Sequence, residues 1–384
     1  MSVAPARPTL DPAELHRVLS ENGIEFYAGV PDSLLKDFIA YLSEHAPEER
    51  HVIAANEGGA IALAAGYHLA TGRIAAVYLQ NSGLGNAINP LTSLVDPEVY
   101  GIPVLLIVGW RGMPGVADEP QHRKQGRITT GQLDVLGFPY VELTPDVTDL
   151  HDAVSGLLAR MNAGRTPGVL LVAPGTFSRY RPSVSPAPRF GMRREDALRI
   201  VLDRLGPRDV VVCTTGMASR EVFEARERAG QAHDQDFLTV GSMGHCSQIA
   251  LGLALAQPDR RTICLDGDGS VIMHMGALAI IGARGPANLH HVVINNGVHD
   301  SVGAQPTVGL SIDLPAIAAA CGYRATRRVG SIAEVASALG ELGGQNGPTL
   351  LEIRVDPGAR EDLGRPTLTP AENKERLMEF LRRR

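Results

Sequence analysis

The tetrapeptide Gly267-Asp268-Gly269-Ser270 closes the apolar run RTICL, and Asn295-Asn296, about 25 residues further on, closes a second run, HHVVI. Both runs read as buried strands, and VIMHMGALAIIGAR between them reads as a helix closed by Gly285-Pro286. A strand–helix–strand unit of this length is a right-handed crossover joining parallel strands. Asp268 and Asn296 are therefore expected at the same C-terminal sheet edge, where open α/β sheets bind ligands. A carboxylate, an amide oxygen and the nearby carbonyl of Val298 offer three oxygen ligands to a hard cation. Diphosphate oxygens and water would complete the octahedron that Mg²⁺ requires. Ser270 and the N–H groups opening the following helix are expected to face the same phosphate.

This arrangement, GDGS plus NN with each after a strand, resembles the diphosphate-binding motif of thiamine diphosphate enzymes. A competing cofactor can be set aside. Gly83 and Gly85 have G-x-G spacing after IAAVYLQ, but Ile88 stands at the third glycine position and no acidic partner follows a next strand. A nicotinamide cofactor is not expected.

A chain of 384 residues, 44% hydrophobic and 20% charged, has room for two or three globular domains. Its net charge is −6, and no basic block stands out except Arg382-Arg383-Arg384, which argues against nucleic acid or membrane surfaces as main partners. Cys213, Cys246, Cys264 and Cys321 form no C-x-x-C pair, so no iron–sulfur cluster is expected. The start, MSVAPARPTLDP, lacks a signal peptide's apolar segment, and no 18-residue apolar run occurs. The expectation is a soluble, cytoplasmic protein.

Strand-like and helix-like runs alternate on both sides of RYRPSVSPAPRFGMRR, a segment of little periodicity that reads as an exposed linker. The expected fold class is α/β, with two domains at 1–178 and 195–384, each a mostly parallel sheet flanked by helices, and a linker at 179–194. The segment from Asp118 to Arg127 reads as a polar loop. TPAENKERLMEFLRRR reads as a capped helix, with Thr369 as N-cap, Pro370 at N1 and Glu372 at N3.

Thiamine diphosphate carries its own reactive carbon, and its activation needs a carboxylic acid against the aminopyrimidine ring. Glu57, in NEGGA, follows a strand and opens a helix, where the helix dipole alone would favour it. By the resemblance it is the cofactor-activating glutamate, and burial would raise its pKa to suit proton shuttling. Gly241-Ser242-Met243-Gly244-His245 resembles the segment whose bulky side chain bends the cofactor, with Met243 as the wedge; a core Met in a tight loop is the plainer reading. Thr215-Gly216 reads either as a strand-to-loop turn or as a lining of the pyrimidine pocket. Asp32 and Ser33, in GVPDSLLK, read as a helix N-cap or as groups facing the substrate. In the polar loop, His122 is a candidate for proton transfer and Arg123, Lys124 and Arg127 for an anion. His299-Asp300-Ser301 directly follows the metal motif and should approach cofactor or substrate.

Together GVPDSLLK, NEGGA, QNSGLGNAINPLTSL, DEPQHRKQGRIT, GSMGH, GDGS and NNGVHDSVGAQPT resemble the phosphonopyruvate decarboxylase family over residues 10 to 360 or so. The resemblance implies a pyrimidine-binding domain, a diphosphate-binding domain and no central third one. It also implies decarboxylation of 3-phosphonopyruvate to phosphonoacetaldehyde and CO₂ in phosphonate biosynthesis. Asp32 would be the acid–base group at the reacting carbon, and the enzyme a homodimer or higher homo-oligomer with active sites between subunits. Two departures stand out: the family pattern leads one to expect glycine at Ala304 and a smaller residue at Cys246. Sulfopyruvate decarboxylase is the nearest rival. A 2-oxoacid:ferredoxin oxidoreductase would need cluster cysteines, and a cofactor-dead binding protein would be expected to have lost Glu57, Asp268 or Asn296.

Overall fold

The computed structural model describes residues 9–184 and 187–383. The chain divides into two compact units, Met1–Ser185 and Pro186–Arg384. In the first unit the helices are α1 (Pro12–Glu21), α2 (Lys36–His45), α3 (Glu57–Thr71), α4 (Leu84–Ser93), α5 (Pro120–Leu136) and α6 (Leu150–Gly164). Its strands are β1 (Tyr27–Gly29), β2 (His51–Ile53), β3 (Ala75–Gln80), β4 (Val104–Gly109), β5 (Tyr140–Leu143) and β6 (Gly168–Val172). They form one six-stranded sheet in the order β2-β1-β3-β4-β6-β5, every pairing parallel. Helices cover both faces, so β3, β4 and β6 are almost wholly apolar and read as continuous runs rather than alternations.

The second unit runs α7 (Arg194–Leu202), β7 (Val210–Cys213), α8 (Met217–Arg228), β8 (Asp236–Leu238), α9 (Cys246–Ala256), β9 (Thr262–Gly267), α10 (Asp268–Met273), α11 (Gly276–Arg284) and β10 (Leu289–Asn295). A small antiparallel ribbon, β11 (Val298–His299) with β12 (Gln305–Pro306), follows. The unit ends with α12 (Leu314–Ala320), β13 (Ala325–Val329), α13 (Ile332–Gly343), β14 (Thr349–Arg354) and α14 (Pro370–Arg382). Its parallel sheet is ordered β13-β14-β10-β9-β7-β8. Counting strands within each unit, the order is 2-1-3-4-6-5 in both. The strand order reverses between β1 and β3 and again between β7 and β9, and ligand crevices form at such switch points.

Several elements depart from the sequence reading. The segment read as a polar loop around residues 118–127 is mostly the first half of α5, with Pro120 at N1. Its buried positions are His122, Gly126, Thr129 and Leu133, so the inward stripe has helical spacing but almost no apolar character. A Cβ at Gly126 would strike the carbonyl of Gly112, so only glycine lets the helix lie this close. The helix expected over VIMHMGALAIIGAR is two helices, because the backbone leaves helical geometry at His274, at φ −133° and ψ 51°. Gly285 caps the second in the left-handed conformation. Helices α1, α4 and α8 and strands β5 and β13 were not anticipated. Both capping-box bonds at Thr369 and Glu372 are present.

Candidate active site

In the first unit the loops after β1, β2, β3 and β4 carry the chemistry. Glu57 is the first residue of α3, entered through Asn56, whose side chain accepts from Gly59 N–H at 2.8 Å. Glu57 is 6% exposed, and its carboxyl accepts from Asn86 Nδ2 at 2.8 Å and from its own backbone N–H. Its other edge lies against Gly83, where an added Cβ would come within 2.7 Å of Glu57 Cγ. Burial pushes this carboxyl upward, and the Asn86 bond opposes that only in part.

Asp32 follows β1 and is fully buried. Its Oδ2 accepts from Leu34 N–H at 2.9 Å and so caps the turn leading into α2, while Oδ1 is buried with no hydrogen-bond partner. Burial lifts Asp32 to about 6 against the pull of nearby Arg111. The guanidinium of Arg111 forks onto Asp118 at 2.8 and 2.5 Å and donates to Ser33 Oγ at 2.7 Å. His122 lies on the buried side of α5 with Nδ1 unpartnered; burial, helped by Arg111, pushes it down to about 4. At neutral pH it is an uncharged imidazole. Arg123, Lys124 and Arg127 occupy the exposed side of α5 and are not gathered with Asp32 and His122.

In the second unit the motif residues converge. Asp268, at the start of α10, is 2% exposed. Its carboxylate accepts from the Thr307 hydroxyl and from the Asn296 backbone N–H, yet burial still lifts it to about 6. Asn295 is structural: its Nδ2 donates to the Gly309 carbonyl at 2.7 Å and to Glu352 at 2.8 Å. Asn296 Oδ1 accepts from Val298 N–H at 3.1 Å. Gly309 lies against Asp268, where a Cβ would sit 2.8 Å from the aspartate's own Cβ. Gly269 is similarly covered, with His299 Cε1 at 2.7 Å and Met243 Cε at 3.4 Å from the place of a Cβ. Met243 and His299 thus both rest on the GDGS turn, and burial pushes His299 down to about 4.

Ser270 has a different setting from the one expected. Its Oγ accepts from Thr214 Oγ1 and from Gly244 N–H, each at 3.1 Å, tying α10 to the Gly241–His245 segment. Ser242 and Gly244 there have φ of 53° and 86°. Thr215 and Gly216 lie between β7 and α8, and Gly216, at φ 95°, comes within 3.4 Å of Ser301 Oγ by the same Cβ measure. Ala304 has φ 59°, the region that favours glycine, which accounts for the glycine expected there. Cys246 is buried with its Sγ 3.6 Å from that of Cys264.

Asp300 entered the sequence reading only as a neighbour of His299 expected near cofactor or substrate, and Asn86, Arg111 and Thr307 escaped it. Arg111 was within reach of it, since it stands two residues past the end of β4 on the ligand-binding sheet edge.

Residues 13–133 match the model of the thiamine pyrophosphate enzyme N-terminal TPP-binding domain, and residues 212–353 that of the C-terminal TPP-binding domain. This chain belongs to the thiamine pyrophosphate enzymes. It is 41% identical to a phosphonopyruvate decarboxylase of Streptomyces viridochromogenes, over 96% of this chain and 94% of the relative. A phosphonopyruvate decarboxylase of Streptomyces hygroscopicus is 40% identical, over 93% and 90%. A sulfopyruvate decarboxylase of Methanosarcina acetivorans is 27% identical, over 95% and 96%. The donor set suits the family's metal: a desolvated carboxylate and an amide oxygen are the hard ligands that Mg²⁺ takes. Among the described residues no helix is long and apolar enough to cross a membrane.

Proposed function

We propose that this enzyme decarboxylates 3-phosphonopyruvate to phosphonoacetaldehyde and CO₂. The supporting observation is end-to-end similarity, near 40% identity, to two proteins named for that activity, against 27% for the sulfopyruvate relative. Thiamine diphosphate, when bound, would supply the electron sink for the pair left on the keto carbon as its bond to the carboxylate breaks.

The residues divide the remaining work. Asp268, the side-chain oxygen of Asn296 and the carbonyl of Val298 hold Mg²⁺, with Gly267, Gly269 and Ser270 shaping the diphosphate turn. Glu57 presents a carboxyl to the aminopyrimidine ring, and burial pushes its pKa upward, the direction that favours proton shuttling. Gly241, Ser242 and Met243, with Thr215 and Gly216, line the cofactor. Asp32, poised at about 6, and neutral His122 give and take protons at the substrate. Arg111 joins Ser33 and His299 as a candidate for the substrate's anionic end, ahead of Arg123, Lys124 and Arg127 on the exposed side of α5. The working form is a cytoplasmic homodimer or larger assembly with active sites between subunits.

The test is aldehyde formation by the purified protein with thiamine diphosphate and Mg²⁺, given phosphonopyruvate, sulfopyruvate and pyruvate in parallel. Preference for phosphonopyruvate is expected. Preference for sulfopyruvate would overturn the substrate alone, and no aldehyde from any of them with cofactor bound would overturn the reaction.

A further inference from the structure

We propose that Asp300, anchored by Arg194, is a positioning residue that dictates which end of the Asn296 amide meets the cation. This rests on the reading of Asn296 as a Mg²⁺ ligand. Asn296 Nδ2 donates to Asp300 Oδ2 at 2.7 Å, while Asn296 Oδ1 accepts from Val298 N–H at 3.1 Å. Turned over, the amide would set its oxygen against a carboxylate and its NH₂ against an N–H donor, so both contacts select one orientation. Val298 uses one lone pair of Oδ1, and the second remains for a cation beside Asp268.

Asp300 is itself immobilised. Its Oδ2 also accepts from Arg194 Nη1 at 2.6 Å, and its Oδ1 from Gly358 N–H at 2.9 Å. Arg194 is then gripped by a bidentate pair with Glu221 at 2.7 and 2.9 Å. The side chains of Arg194, Glu221 and Asp300 are 7%, 3% and 8% exposed, so the network is held away from bulk water. One guanidinium against two carboxylates leaves it one negative charge in excess, directly behind the amide that would face Mg²⁺. Outer partners of this kind orient metal ligands and raise their donor strength.

The test is calorimetric titration of thiamine diphosphate into the full-length protein across a Mg²⁺ series, with kcat measured at saturation. Asp300→Ala should raise the half-saturating Mg²⁺ about tenfold or more while holding kcat at saturation within about twofold. Asp300→Asn keeps an acceptor oxygen between Arg194 and Asn296 but loses the charge and the acceptor for Gly358 N–H, so its Mg²⁺ affinity should fall between the alanine variant and wild type. If the alanine variant melts without cooperativity, Asp300→Ser carries the same expectation, because its hydroxyl stops one bond short of the Oδ2 position that Asn296 and Arg194 share and remains open to water. A folded Ala or Ser variant with wild-type Mg²⁺ dependence overturns the proposal. Asn296→Ala separates the two levels: if it too leaves Mg²⁺ dependence unchanged, the ligand reading fails and takes the proposal with it.

Discussion

Replacing Gly83 with alanine tests Glu57 without altering its chemistry. Gly83 has φ −70° and ψ −15°, a conformation alanine adopts freely, so any effect comes from space rather than backbone strain. The added Cβ would lie 2.7 Å from Glu57 Cγ and 2.8 Å from Cδ, whereas ordinary contacts begin at 3.4 Å. The carboxyl must therefore retreat by the better part of an ångström, which also breaks its 2.8 Å bond with Asn86. A catalytic group displaced by about 1 Å can cost on the order of 10²-fold in rate, or about 2.7 kcal/mol of barrier. The expected result is a fall of that size in kcat, with thiamine diphosphate and Mg²⁺ still bound by calorimetry. Gly85 supplies the control, since a Cβ there meets nothing within 4 Å. Gly85→Ala should stay within about twofold of wild type, because it leaves the Glu57 geometry untouched. If Gly83→Ala keeps wild-type kcat in a normally folded protein, the position of Glu57 does not matter, and its role as activator falls.

Two more perturbations address the substrate side. Burial lifts Asp32 to about 6, so the folded protein binds this proton more tightly than the unfolded chain does. Stability should then decline as pH rises from about 4 to about 6, with the full penalty persisting above that range. Asp32→Asn should raise Tm at pH 8 and leave it nearly unchanged at pH 4; an equal shift at both would contradict the burial argument. Arg111→Lys keeps the charge but cannot fork onto Asp118 while reaching Ser33. It should raise KM for the anionic substrate about tenfold with kcat within about threefold, and an unchanged KM would detach Arg111 from substrate binding.

The sequence was most readable where strands are buried on both faces. RTICL and HHVVI announce β9 and β10 as continuous apolar runs, so the positions of Asp268 and Asn296 at one edge followed from topology alone. It was least readable where helices bury small or polar side chains. Helix α5 places His122, Gly126 and Thr129 inward, and hydrophobic periodicity has nothing to detect there. The contacts of Arg111, and of Asp300 in the expected His299-Asp300-Ser301 segment, were obscure for a different reason. Their partners are remote in sequence, Ser33 and Arg194, which only the folded chain brings near.

A common device underlies the three acids. Glu57 abuts Gly83, Asp32 abuts Gly109, where a Cβ would sit 3.0 Å from Asp32 Cγ, and Asp268 abuts Gly309. All three carboxyls are pushed upward, and in each case burial is the largest cause. A carboxyl laid on bare backbone loses water on that side without meeting a side chain that could neutralise it, so desolvation outweighs the few hydrogen bonds that remain. Gly83 entered the sequence reading in a failed dinucleotide fingerprint and within the QNSGLGNAINPLTSL motif, but not as a neighbour of Glu57, because spacing along the chain says nothing about contact across it. In the fold its missing Cβ is what allows an acid to be dry and in place, with its hold on a proton strengthened by burial.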